Sequence, residues 1–300
     1  MSDLHLLEVG GVSLLSFLNK RATGAVNLLL KRAHSHQISL VEEALTLLAT
    51  LDVDQLAVTG DISNLSLDSE FALAARILEG HSEDFTISVI PGNHDRYVYS
   101  SARKRRFEHY FSDFVTSDLP DLQTDSVYPY VRFSEGIAII GLSSSIPTPP
   151  FFATGTVSAK QLEALDEILE LEETKSRYSI VLVHHPLSLL KHSRFDWIRR
   201  LTNADEVIDK VAGRADLVLH GHNHRPAHFQ LTGRGKPTRV IEAGSASTVY
   251  FDDDHHFAGR FNLYEIGDDR ELTVRTFSYD HDKREFVEMG PLEPQIVELT

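Results

Sequence analysis

The sequence predicts an α/β protein, and two observations predict it. Short apolar runs alternate with helical patterns, and residues fit for metal binding recur directly after those runs. The runs Leu56–Val58, Phe85–Ile90, Ile137–Leu142, Ile180–Val183 and Leu217–Leu219 read as buried strands. Between them, Ile38, Val41, Leu45 and Leu48 share one helical face, and Phe71, Ala74, Ala75 and Leu78 repeat the pattern before Gly80. Ser158 with Gln161 predicts a capped helix running to about Leu171, and Asn203 with Glu206 another that stops at Gly213. From Arg239 the pattern changes to strands alone: Arg239–Ala243, Arg260–Ile266, Glu271–Ser278 and Arg284–Met289, expected to be antiparallel. No repeat or Pro/Gly-rich linker divides the chain. It reads as one domain over 1–300, with a helical cap-like segment at 12–36 and a strand-rich part at 239–300.

The chemistry lies where strands end. Thr59-Gly60-Asp61 follows the first run, Pro91-Gly92-Asn93-His94-Asp95 the second, His184-His185-Pro186 a third, and His220-Gly221-His222-Asn223-His224 a fourth. Asp3-Leu4-His5 stands at the start. The carboxyl edge of an open α/β sheet is where ligands bind. Carboxylate and amide oxygens mixed with imidazole suit Mn, Fe, Zn or Co. One carboxylate can bridge two such ions, and water between them becomes a nucleophile near neutral pH.

Composition narrows the field. A net charge of −15 over 300 residues lacks the positive field of a non-specific nucleic-acid binder, so no nucleic-acid partner is expected. The chain has no cysteine, which excludes a thiolate metal site and a cysteine nucleophile. No apolar run is long enough to span a membrane, and the start is unlike a signal peptide, so a cytoplasmic location is expected. The segment 12–36 carries Leu together with Lys20, Arg21, Lys31 and Arg32, and reads as a helical cap or a surface that touches lipid. His34, His36, His81, His109, His192 and His228 are expected on the surface, and Asp252 to His256 in a solvated loop.

Taken in order, the motifs resemble the calcineurin-like metallophosphoesterase superfamily, loosely its bacterial phosphodiesterase branch, from residue 3 to about residue 250. The resemblance implies a four-layered α/β sandwich with two central mixed sheets flanked by helices. It implies two divalent or trivalent metal ions, one held by Asp3, His5, Asp61 and His224, the other by Asp61, Asn93, His184 and His222. His94 would be the catalytic histidine, with Asp95 orienting it, and His185 the fallback for His184. Arg96 and Arg225 follow motifs directly and are candidates to grip a phosphate oxygen. The implied reaction is attack of a metal-bridging hydroxide on a small phosphodiester or phosphomonoester. A lipid-linked diphosphate, a DNA substrate and a non-catalytic scaffold are the alternatives. In the family a hydrophobic strand precedes Asp-x-His, whereas here only Met1 and Ser2 do. The expectation is that further residues lie upstream, or else that Asp3 and His5 sit on a loose segment and weaken the first metal site.

Overall fold

The computed structural model describes residues 1–8, 36–96, 102–124, 127–187, 196–249 and 257–299. The cap-like reading of 12–36, apart from His36, and the Asp252–His256 tract fall outside these residues.

Every apolar run forms a strand: β1 (Gln55–Val58), β2 (Thr86–Val89), β4 (Ile137–Gly141), β5 (Tyr178–Leu182) and β6 (Leu217–His220). β3 (Tyr130–Ser134), β7 (Ala227–Thr232) and β8 (Thr238–Glu242) complete the neighbourhood, with β9 (Phe257–Ile266), β10 (Leu272–Asp280), β11 (Glu285–Met289) and β12 (Gln295–Glu298) at the end. A seven-stranded mixed sheet runs β12-β7-β8-β6-β5-β4-β3. β1 and β2 pair in parallel, and β9, β10 and β11 form an antiparallel sheet. The antiparallel expectation holds for the last three predicted strands and in part for Arg239–Ala243. That stretch is β8, which lies antiparallel to β7 on one side and parallel to β6 on the other.

The large sheet divides its strands by the two-residue period. Ile139, Ile180, Leu182, Leu217, Leu219 and Ile241 face one core, together with β1, β2, part of β9 and β10, and the helices α1 (Ile38–Thr50) and α2 (Asp68–Glu79). Their neighbours Ile140, Val181, Val218 and Val240 face the other, under α4 (Ala159–Glu170) and α6 (Ala204–Val211). The order helix, small sheets, large sheet, helix is the expected layered α/β architecture. Each aliphatic side chain so buried contributes roughly 1.5–3 kcal/mol. Two short helices, α3 (Arg106–Tyr110) and α5 (Glu172–Lys175), complete the set that the described residues show.

Local polar devices fix the loops that matter. At the start of α2 the buried Glu70 carboxylate accepts from Leu65 N at 2.8 Å and Leu67 N at 3.0 Å, which fastens the loop after Asp61. At α4, Ser158 caps Gln161 N as predicted, while the Gln161 side chain reaches Ser143 N at the exit of β4. Asn203 does not cap α6. Its amide binds Val157 N and O instead, since an unpaired loop backbone next to it needs both a donor and an acceptor.

Candidate metal centre

Parallel strands of both sheets end at one place. β1 delivers Thr59-Gly60-Asp61, β2 delivers Asn93 and His94, β5 delivers His184, and β6 delivers Gly221 and His222. The turns must be tight. Gly60 has φ +95°, and a Cβ there would lie 2.6 Å from Gly92 N and 2.7 Å from His184 Nδ1. A Cβ on Gly92 would lie 2.1 Å from Asp61 Oδ1. Glycine is the residue that lets these two loops meet.

The start of the chain reaches the same place and is not loose. Residues 1–6 run beside the turn after β1: Asp3 N donates to Gly60 O at 3.0 Å, His5 N to Asp61 O at 2.9 Å and Leu6 N to Ile62 O at 2.9 Å. On the other side Ala246 N donates to Ser2 O at 2.9 Å. All six side chains are buried. The expectation of a mobile Asp3 and His5 is therefore corrected: backbone bonds on both flanks hold them.

Two groups of donors result, and they share Asp61. Asp3, His5, Asp61 and His224 have ligand atoms within 4.8 Å of one another, and so do Asp61, His184 and His222. In the first group His5 Nε2 lies 2.9 Å from His224 Nε2, and His224 Nε2 lies 3.3 Å from Asp3 Oδ1. In the second, Asn93 Oδ1 lies 3.1 Å from His184 Nε2 and 2.8 Å from His222 Nδ1. His94 N donates to Asp61 Oδ1 at 2.8 Å, which fixes the shared carboxylate.

Five of these residues occupy the left-handed backbone region: Asp3 (φ 53°), His5 (44°), Asp61 (50°), His222 (80°) and His224 (58°). Such conformations cost energy in side-chain-bearing residues and cluster at functional sites.

The electrostatics favour cations. Burial raises the Asp61 carboxyl, but His184, His94 and His5 outweigh it, and its pKa falls well below the usual range. Burial would lower His184, yet the Asp61 carboxylate raises it to about 9. His184 Nδ1 donates to Thr59 O at 2.7 Å, so its Nε2 is the atom that meets Asn93 and Asp61. Oxygen and imidazole donors thus face one another across short gaps, His5 through Nε2 and His222 through Nδ1. That arrangement fits metal ions.

The remaining predicted residues separate. His94 lies at the cluster, its ring edge-on to His5 at 4.9 Å between centroids. The carbonyl of Asn64 holds its Nδ1 at 2.7 Å. Asp95, the next residue, is buried. Its carboxylate accepts from Ile62 N, Ser63 N, Ser63 Oγ and Gly92 N, and so ties the Asp61 loop to the Asn93 loop. Burial, then the Asp61 charge, raises its pKa to about 7. The His185 ring lies 4.7 Å from that of His222, but its Nδ1 meets Ser144 Oγ at 2.8 Å and its Nε2 meets Ala153 O, so His184 is the one grouped with Asp61 and His222. Arg96 pairs with Glu108 and lies over the Tyr128 ring, which turns its guanidinium to the protein. Arg225 is exposed just after His224.

Three features lay beyond the sequence reading. Glu242, at the end of β8, is buried and accepts from Asn223 N at 2.8 Å and Asn223 Nδ2 at 3.1 Å, so it holds the turn that carries His222 and His224. Ser245 Oγ and Ser247 Oγ both donate to Asp3 O, at 2.8 and 3.2 Å. His36, expected on the surface, stands beside His5 and His224, and His228 is buried in β7 with Nδ1 on Leu292 O. No local pattern marks any of these, because each is brought in by a distant segment.

Among solved structures, yellow lupin purple acid phosphatase PPD1 is similar over 93% of this chain and 48% of its own, with TM-score 0.54 and 11% identity. The NAD nucleotidase NadN of Haemophilus influenzae is similar over 86% of this chain and 54% of its own, with TM-score 0.46 and 13% identity. The chain thus spans about half the length of these two proteins. No curated protein matches. Residues 1–226 match the calcineurin-like phosphoesterase family, and with more than two thirds of its length inside that match the chain belongs to this family of metal-dependent phosphoester hydrolases.

Proposed function

We propose that the protein hydrolyses a small phosphodiester or phosphomonoester with two metal ions held side by side. The observation that carries this is the sharing of Asp61 by two compact donor groups. Asp3, His5, Asp61 and His224 would hold one ion, and Asp61, Asn93, His184 and His222 the other, with Mn, Fe, Zn or Co suited to both. When bound, the pair would neutralise phosphate charge and supply a nucleophile from water at neutral pH.

The chain's own residues do the rest. The Asn64 carbonyl can only accept, so His94 keeps a proton on Nδ1 and works through Nε2. It would therefore donate to the leaving oxygen from Nε2. Asp95, Glu70 and Glu242 keep the loops in place while charge builds up in the transition state. Arg225, exposed just after His224, would be the candidate to grip a phosphate oxygen; Arg96 is committed to Glu108.

The test joins metal content to hydrolysis of bis(p-nitrophenyl) phosphate and p-nitrophenyl phosphate. Two ions per chain and activity that vanishes in His94→Ala, with the ions retained, are expected. A protein that binds no ion and cleaves neither ester refutes the reading.

A further inference from the structure

We infer that His36 is a ligand of the first metal ion, which makes that site a three-histidine site. The inference rests on the two-ion reading above and extends it to a residue outside the family motifs.

Geometry carries it. The ligand nitrogens of His5, His36 and His224 lie within 4.8 Å of one another, the same closeness that groups Asp3, His5, Asp61 and His224. The His36 ring centroid is 4.6 Å from that of His5 and 5.8 Å from that of His224. Imidazole nitrogens that share one ion at 2.0–2.1 Å stand about 3–4 Å apart, so a modest ring movement closes the group. Both groups contain His5 and His224. The three imidazoles then form one face of the ion, and the carboxylates of Asp3 and Asp61 supply donors from elsewhere around it.

The support behind His36 is of the kind that ligating histidines have. Its Nδ1 lies 2.7 Å from the hydroxyl of the buried Ser247, and that hydroxyl donates to Asp3 O. A hydroxyl has one proton, so His36 supplies the other from Nδ1, and Nε2 carries the lone pair that would meet a metal. The backbone is fixed as well. His36 bridges to Thr248, and Gln37 N donates to Ser247 O at 2.9 Å. The Ser245–Thr248 stretch therefore positions both Asp3 and His36. A histidine that only packed would not require a hydrogen-bonded connection to the backbone of a ligand.

Chemistry gives the consequence. A third imidazole moves a site's preference from Mn²⁺ towards Zn²⁺, Fe²⁺ and Co²⁺. The second group, with its Asn93 and Asp61 oxygens, lacks that bias.

Cobalt tests this, because its visible spectrum reports coordination directly. Wild-type protein is titrated with Co²⁺ beside His184→Ala, which keeps the first group, and His184→Ala/His36→Ala. Two ions are expected for wild type and one for His184→Ala. In the double variant Co²⁺ affinity should fall roughly 10–100-fold, with a changed absorption band and a smaller loss for Mn²⁺. Ser247→Ala in place of His36→Ala should give a milder loss at the same site. Unchanged Co²⁺ affinity and spectrum in a folded double variant overturn the inference and leave the two-ion reading intact. A wild-type protein that binds no Co²⁺ overturns both.

Discussion

The two halves of the candidate metal centre are built differently. The second half stands on strand ends: β1, β2, β5 and β6 each deliver a donor directly, and the parallel pairing of their sheets fixes the spacing. The first half is assembled from pieces with no long strand of their own. Residues 1–6, the turn after β6, His36 ahead of α1, and Ser245 to Thr248 meet there through hydrogen bonds. One half is a property of sheets, and the other is a property of loop contacts. Loss of a single contact should therefore harm the first half more than the second.

The largest effect should come at the shared residue. Asp61→Ala removes a donor from both halves, and hydrolysis should fall on the order of 10³-fold, beyond the 10–100-fold typical of an outer partner. Equilibrium metal analysis should show the loss of both ions. The comparison itself is tested by the pair His5→Ala and His184→Ala. Each should leave about one ion per chain, and a mixed-metal preparation should show that the ions retained differ in preference. Equal preferences would mean the two halves are alike. A smaller effect is expected at Ser245→Ala, which removes one hydrogen bond to Asp3 O and the weaker contacts to Ser247. First-site affinity should fall about tenfold, and the second site should not change, as read by titration in a His184→Ala background.

The smallest effect concerns the frame beneath the second half. Asp216 accepts from Ser179 N and pairs with Lys236 and Arg270, joining β5, β6 and the loop ahead of β10. Burial raises its carboxyl, but Lys236 and Ser179 outweigh this and lower the pKa. A carboxyl lowered in the fold stabilises the protein above its unfolded pKa, near 3.8, and that contribution is lost as pH falls through the folded value. Asp216→Asn should cost about 1–3 kcal/mol at pH 7. In chemical denaturation the gap from wild type should close at strongly acid pH.

Legibility followed the same division. The strand runs and their terminal residues were readable because periodicity and glycine-flanked polar turns are local signals. β3 and β7 escaped notice because their polar and charged positions interrupt the apolar pattern, and β12 because its four residues are almost wholly exposed. In the site, the motif residues were readable one by one. His36, Glu242, Ser245 and Ser247 were not, since a single histidine, glutamate or serine carries no spacing. Asp95 was visible as a residue, while its use as a tie between two loops depends on Ser63 and Ile62, fixed only in space.

The left-handed backbone of Asp3, His5, Asp61, His222 and His224 has a consequence for how such a protein can change. At each position glycine would relieve the backbone strain. Stability and activity therefore pull the same five positions in opposite directions. A population screened for heat resistance alone should accumulate glycine or asparagine there, becoming more robust as it loses its chemistry.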